Sequence, residues 1–229
     1  KHDHLVKGYK DMYFYNDSWE KWIDTFNKLQ KNGSDNFWIN LTCYACPSPW
    51  FLRYVNSLWI QISNDVGFVG KKGQVSDKDR MLTYRDDVYY DFYNIRQFQF
   101  PQMGLYNHDP IYGNTAEVSM SDEDFRDYLF TMATRGSFFW EYYYSFNMMN
   151  ETKWHINYAC MRFIEDNKDV LSNSVIFGLK PSENDVYGFS CFSDYEGIVS
   201  LRNSSAEEKE YLLALDESIG VKKSLVPVN

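Results

Sequence analysis

Positive charge is scarce in this chain. Its 229 residues carry 23 Lys and Arg against 32 Asp and Glu, a net charge of -9. With a pI near 4.9, the chain lacks the cationic surface that nucleic-acid phosphates demand, so nucleic acid is excluded as a partner. Long apolar runs are missing as well. Mean hydropathy is -0.53, and no stretch approaches the ~18 apolar residues of a membrane-spanning helix. Cysteine is sparse: Cys43, Cys46, Cys160 and Cys191 are too scattered for a disulfide framework. Cys43 and Cys46 form a single C-x-x-C followed by Pro47 and Pro49. No second pair follows at zinc-site spacing, so a structural or substrate-lining role fits better than a redox or zinc role. An apolar signal segment is also missing from the start at Lys1, which reads as the interior of a longer or processed protein.

Aromatic residues, by contrast, are abundant. Trp, Tyr and Phe make up 19% of the chain. That content excludes a disordered chain and leaves ample material for a core. It also suits contact with flat or ring-shaped ligands.

The hydrophobic pattern alternates between strand and helix. Asp17 or Ser18 is placed to cap a helix running to about Lys31, ended by Asn32-Gly33. Strands are expected at Phe37–Leu41, Leu58–Ile62, Phe98–Phe100 and Phe138–Tyr144, and further helices at Asp79–Arg96, from Ser121 to Arg135, and at Glu151–Val170. This order predicts parallel strands joined by right-handed crossovers. After about Asn173 the pattern changes to four successive strands, the last at Tyr211–Val221. The expected domains are therefore an α/β part over residues 1–172 and an all-β part over residues 173–229.

In parallel α/β folds, chemistry collects at the carboxyl ends of strands. Four polar segments qualify: Lys1-His2-Asp3-His4, Thr42-Cys43-Tyr44, Ser63-Asn64-Asp65 and Asn107-His108-Asp109. Asp3 and Asp65 stand at different strand ends and can face each other across a pocket. A retaining glycosidase needs such a pair about 5–5.5 Å apart. Each residue also has a plain structural reading, Asp65 as a turn former before Gly67 and His108-Asp109 as a turn before Pro110. Arg85, with Asp86, Asp87 and Asp91, reads as a solvated helix face. Glu141 lies inside an aromatic strand, where it must point into a polar pocket or pair with a cation such as Arg135. Trp59 and Trp140 are either ring contacts for a ligand or core.

Lys1-His2-Asp3 resembles the K-x-D that ends the fourth barrel strand in the α-galactosidase clan, glycoside hydrolase families 27, 31 and 36. Leu58-Trp59-Ile60-Gln61-Ile62-Ser63-Asn64-Asp65 resembles the sixth-strand segment of family 36, although that family usually carries a further Asp. Asn40-Leu41-Thr42-Cys43-Tyr44 falls where the family has its Cys-containing sugar-binding loop, with Cys43–Pro47 in place of a glycine-rich run. Glu196–Asn203 resembles the opening strand of the following β domain. The resemblance implies the C-terminal half of a (β/α)8 TIM barrel, strands four to eight, followed by part of a β-sandwich. The earlier strands would precede Lys1. An isolated open half-barrel exposes strand edges, so self-association is expected of it.

The implied activity is retaining exo-hydrolysis of terminal α-galactosides or α-N-acetylgalactosaminides, with oligosaccharides or glycoconjugates as partners and no metal or organic cofactor. Asp3 would be the nucleophile and Asp65 the acid–base. Lys1, Cys43, Tyr44, Trp59, Asn107, His108 and Trp140 would bind the sugar. Two other classes fit the same residues. One is a non-catalytic carbohydrate-binding relative. The other is a metal-dependent hydrolase using His2, Asp3 and His4 with His108-Asp109.

Overall fold

A computed structural model describes residues 11–33, 37–42, 48–60, 64–114 and 116–222. Lys1, His2, Asp3, His4, Cys43, Tyr44 and Cys46 lie outside the described residues.

Helix α1 spans Met12–Asn32. Its cap is Asp11, whose carboxylate accepts from the Phe14 N–H at 2.8 Å, earlier than the expected Asp17 or Ser18. The periodicity hides this start because Met12, Tyr13 and Phe14 are exposed and the buried stripe begins at Trp19. Strands β1 (Asn40–Leu41) and β2 (Ser57–Trp59) are parallel, with a 3-10 turn over Pro49–Arg53 between them. Helix α2 (Asp77–Tyr90) is capped by Ser76 and runs on into a π-helical turn at Asp91–Ile95. Strand β3 is Leu105–Tyr106 and pairs parallel to β2, Leu58 opposite Leu105 and Trp59 opposite Tyr106. The expected strand at Phe98–Phe100 is instead irregular. Phe98 and Phe100 still serve the core, Phe98 by packing on Phe92 and Phe100 by full burial.

Strand β4 (Ile111–Tyr112) follows β3 after four residues and pairs parallel to β5 (Tyr143–Tyr144). Backbone bonds from Glu141 to Asp109 and from Ser145 to Tyr112 extend that pairing at both ends. Only the last two residues of the expected strand Phe138–Tyr144 are therefore regular strand. Helix α3 (Asp122–Thr134) makes the β4–β5 crossover. As its sequence implies, Ser121 caps it, and Asp122, Glu123 and Asp124 meet the positive end of its dipole. Helix α4 (Glu151–Asp166), capped by Asn150, and the short α5 (Lys168–Leu171) occupy the expected last helix.

From Ser174 the pairing becomes antiparallel: β6 (Ser174–Gly178), β7 (Val186–Phe192) and β8 (Gly197–Asn203) form one sheet with β7 central. The expected strand at Tyr211–Val221 does not form. That stretch is irregular, with a 3-10 turn at Glu217–Ile219. Ile219 and Val221 anchor it by packing with Phe177. The sheet is not a separate layer. Ile176, Tyr187 and Phe189 share one apolar cluster with Trp19 and Phe26 of α1, Leu58 of β2 and Tyr89 of α2.

A buried polar network crosses the same boundary. Arg85 and Asp86, expected on a solvated face, are fully enclosed. Arg135 donates through Nε to Asp86 at 2.6 Å and through Nη1 to Asp109 at 3.2 Å. The Tyr187 hydroxyl of β7 donates to the other Asp86 oxygen at 2.5 Å. Arg202 of β8 donates to the Tyr187 hydroxyl and to the Asp79 carbonyl of α2, the latter at 2.7 Å. Burial acts to lower the Arg135 pKa, but Asp86 and Asp109 outweigh it and hold the guanidinium more firmly protonated than usual. Asp87 and Asp91 are also engaged, Asp87 with the Ser182 N–H and Asp91 with Arg96.

Candidate functional site

The side chains with chemistry gather beyond the carboxyl ends of β2 and β3. Trp59 closes β2 and is held opposite Tyr106, the last residue of β3. His108 lies two residues past Tyr106, and its ring centroid is 5.1 Å from that of Trp59.

Asp65 comes from the loop after β2, and α2 fixes that loop from one side. The Tyr84 hydroxyl accepts from the Asn64 N–H at 2.8 Å. Arg85 donates through Nη2 to the Asp65 carbonyl at 2.7 Å. Gly67 is required here by close approach: a Cβ at that position would stand 2.2 Å from the Tyr84 ring. The backbone of Asp65 is thus clamped while its carboxylate stays 65% exposed.

The imidazole of His108 stands between two carboxyl groups. Nε2 is 3.4 Å from Asp65 Oδ1, and Nδ1 is 2.5 Å from Glu141 Oε2. The Tyr143 hydroxyl approaches the same corner, 2.9 Å from Nδ1 and 3.5 Å from Glu141 Oε2. Glu141 and Tyr143 are two residues apart at β5, so extended alternation sends both toward His108. Exposure falls steeply along the row. Asp65 is open, whereas the side chains of His108 and Glu141 are 15% and 13% exposed. Glu141 therefore meets its burial cost through His108 and Tyr143. Arg135, the partner considered for it, is bound to Asp86 and Asp109 instead.

Alternation also separates His108 from its neighbours. Asp109 turns the other way, where Arg85 at 3.3 Å, Arg135 at 3.2 Å and the Tyr128 hydroxyl at 3.2 Å surround its carboxylate. His108 and Asp109 are thus not a ligand pair, which removes that part of the metal-hydrolase arrangement. Asp65 and Glu141 lie on opposite ring nitrogens, and among the described residues no group of three His, Cys, Asp or Glu is arranged to hold a metal ion. Asn107 is buried and donates to the Tyr89 hydroxyl at 3.1 Å. Burial pushes that tyrosine's pKa up to about 12. Trp140 donates its indole N–H to the Ser137 carbonyl at 3.0 Å and, with Asn107, lines a small internal cavity beside Arg135.

Of the sequence candidates, the structure brings together Asp65, His108 and Trp59, and puts Asn107 and Trp140 at the adjacent interior cavity. Lys1, Asp3, Cys43 and Tyr44 lie outside the described residues. The cluster gains Glu141, Tyr143, Tyr84 and Arg85. The signal for Glu141 was its place within an aromatic stretch, where an acid demands a partner. Tyr143 is two residues further along the same extended segment. Arg85 gave no signal, because a helical Arg among acids looks the same whether solvated or buried.

Comparisons with family models, with curated proteins and with solved structures return no match. Among the described residues no helix is long and apolar enough to cross a membrane.

Proposed function

We propose that the chain is the C-terminal half of a (β/α)8 barrel with part of a β domain, and that it belongs to a retaining exo-α-glycosidase. Its substrates are terminal α-galactosides or α-N-acetylgalactosaminides. The barrel reading is supported by parallel strands that neighbour one another in chain order, β1-β2-β3 and then β4-β5. The observation that carries the activity is the exposed Asp65 carboxylate on a clamped loop beyond β2, with His108 beside it and the Trp59 ring packed on His108. An open carboxyl group in a site that also holds an aromatic ring suits a sugar, whose C–H face packs on a ring while its glycosidic oxygen meets the acid.

In this reading Asp65 protonates the leaving oxygen as Asp3 attacks the anomeric carbon, giving a glycosyl-enzyme. Asp65 then takes a proton from the incoming water. Asp3 holds the nucleophile's role through the K-x-D resemblance alone. The test is hydrolysis of aryl α-galactosides and aryl α-N-acetylgalactosaminides by the protein that carries this chain with its upstream barrel strands, and by its Asp65→Asn variant. Loss of the positioned acid–base lowers kcat by ~10²–10⁴-fold. Sugar binding with no turnover and no labelling by a mechanism-based galactosyl reagent would identify a non-catalytic carbohydrate-binding relative instead. Turnover of the substrate by Asp65→Asn at the wild-type rate removes Asp65 from the chemistry.

A further inference from the structure

We propose that Glu141 is a positioning residue that acts through His108 to hold the proton Asp65 uses; this rests on the glycosidase reading. The geometry is a row of three groups, Glu141, His108 and Asp65, running from the interior to the open end of the site.

The argument starts from donors and acceptors. An ionised carboxylate only accepts. Glu141 Oε2, 2.5 Å from Nδ1, therefore places the ring proton on Nδ1. Tyr143 supports this choice, because its hydroxyl reaches both Nδ1 and Oε2 and can donate to the carboxylate. With Nδ1 protonated, the nitrogen facing Asp65 in the neutral ring is a bare acceptor. Asp65 Oδ1 stands 3.4 Å from His108 Nε2, which places that bare acceptor beside the carboxyl group that carries the acid's proton. Edge contact with Tyr143 and packing against Trp59 hold the ring in this orientation. From α2, Arg85 meets the Asp65 carbonyl and the Asp109 carboxylate, and among the described residues it is the cation that borders the row.

The proton balance is simple. The pair Asp65–His108 gives its proton to the glycosidic oxygen as that oxygen's bond to the anomeric carbon breaks and the nucleophile's bond forms. Water returns one proton to the pair when it cleaves the glycosyl-enzyme. Glu141 neither gains nor loses a proton over the cycle. It keeps the ring in the tautomer that lets Nε2 accept.

Two readouts test the proposal on the full chain, and the first does not depend on turnover. The ¹⁵N histidine spectrum gives the protonated nitrogen directly, and a His108→Gln sample assigns His108 among the four histidines. The neutral ring is expected to be protonated at Nδ1 in the wild type. In Glu141→Leu the carboxylate acceptor facing Nδ1 is gone, so the Nδ1 tautomer is expected to lose population to Nε2. Asp65→Asn is expected to shift the Nε2 resonance and leave the tautomer unchanged. The second readout is kinetic. Glu141→Leu is expected to lower kcat about tenfold or more, within the ~10²–10⁴ of the acid–base group itself. It should leave KM unchanged and alter the pH profile of kcat, with wild-type melting as the folding control.

A wild-type ring protonated at Nε2, or a folded Glu141→Leu with unchanged tautomer or unchanged kcat and pH profile, overturns the role of Glu141. If the wild-type protein with its upstream barrel strands hydrolyses neither aryl substrate, the glycosidase reading fails and the proton-holding role falls with it. The spectrum still decides whether Glu141 sets the tautomer of His108.

Discussion

Removing Asp86 should be among the most damaging single substitutions in this protein, and the structure gives the reason. One Asp86 oxygen takes Nε of Arg135 at 2.6 Å and the other takes the Tyr187 hydroxyl at 2.5 Å. All three side chains are enclosed. Asp86→Ala leaves a buried guanidinium with Asp109 as its remaining carboxylate partner and a buried hydroxyl that has lost its acceptor. Breaking a buried ion pair from one side costs ~3–5 kcal/mol. The retained Asp109 contact pulls the figure toward the lower end. The stranded Tyr187 donor pushes it back by ~1–3 kcal/mol. A net loss of about 3–5 kcal/mol follows. Urea unfolding measures it; with m near ~2 kcal/mol/M the midpoint should fall by about 2 M. Asp17→Ala is the control. It removes an exposed i,i+4 pair with Lys21, worth only ~0.3–0.5 kcal/mol. The double variant Asp86→Ala with Arg135→Met should cost less than Asp86→Ala alone relative to Arg135→Met, because no charge is left stranded. An Asp86→Ala protein within about 1 kcal/mol of wild type would refute the account, since no intact buried pair is that cheap to break.

Two further outcomes concern the sheet and the acid limb. Gly188 is central in β7, and a Cβ there would stand 2.0 Å from the Ser200 carbonyl oxygen of β8. Gly188→Ala should therefore destabilise by ~1–3 kcal/mol or separate β8, read as lower melting temperature and faster amide exchange in β8. The hydrogen bond from Lys153, with a second from Asn150, holds the Asp122 pKa below its ordinary 3.8. A depressed carboxylate contributes stability above its unfolded pKa of ~3.9 and loses it as pH falls through the folded value. Unfolding curves should weaken below about pH 4, and Asp122→Asn should flatten that part of the profile.

Local features of the fold were legible in the sequence because they depend on neighbours along the chain. Ser121 and the acids after it define the start of α3 without help from any other element. The change from helix–strand alternation to strand-rich sequence near residue 173 matches the onset of antiparallel pairing at Ser174. Where exposed aromatics mimic a core pattern or a buried charge mimics a surface one, the same reasoning misplaces elements. Met12–Phe14 concealed the first turn of α1. Arg85 and Asp86 looked solvated because polarity alone does not distinguish a charge paired with water from one paired with Arg135 or Asp109.

Chain order alone puts an acid at 65, a histidine at 108 and an aromatic at 59 near the ends of strands. How these side chains meet is set by strand pairing and packing. Pairing of Trp59 with Tyr106, rather than a strand at Phe98–Phe100, sets where His108 emerges. Glu141 and His108 are 33 residues apart, and Asp86 and Tyr187 are 101 apart. Such contacts exist because parallel pairing and core burial bring distant segments together, and a buried donor or acceptor then takes whichever partner the packing supplies. Periodicity along the chain records which residues are apolar, and it carries no term for that choice.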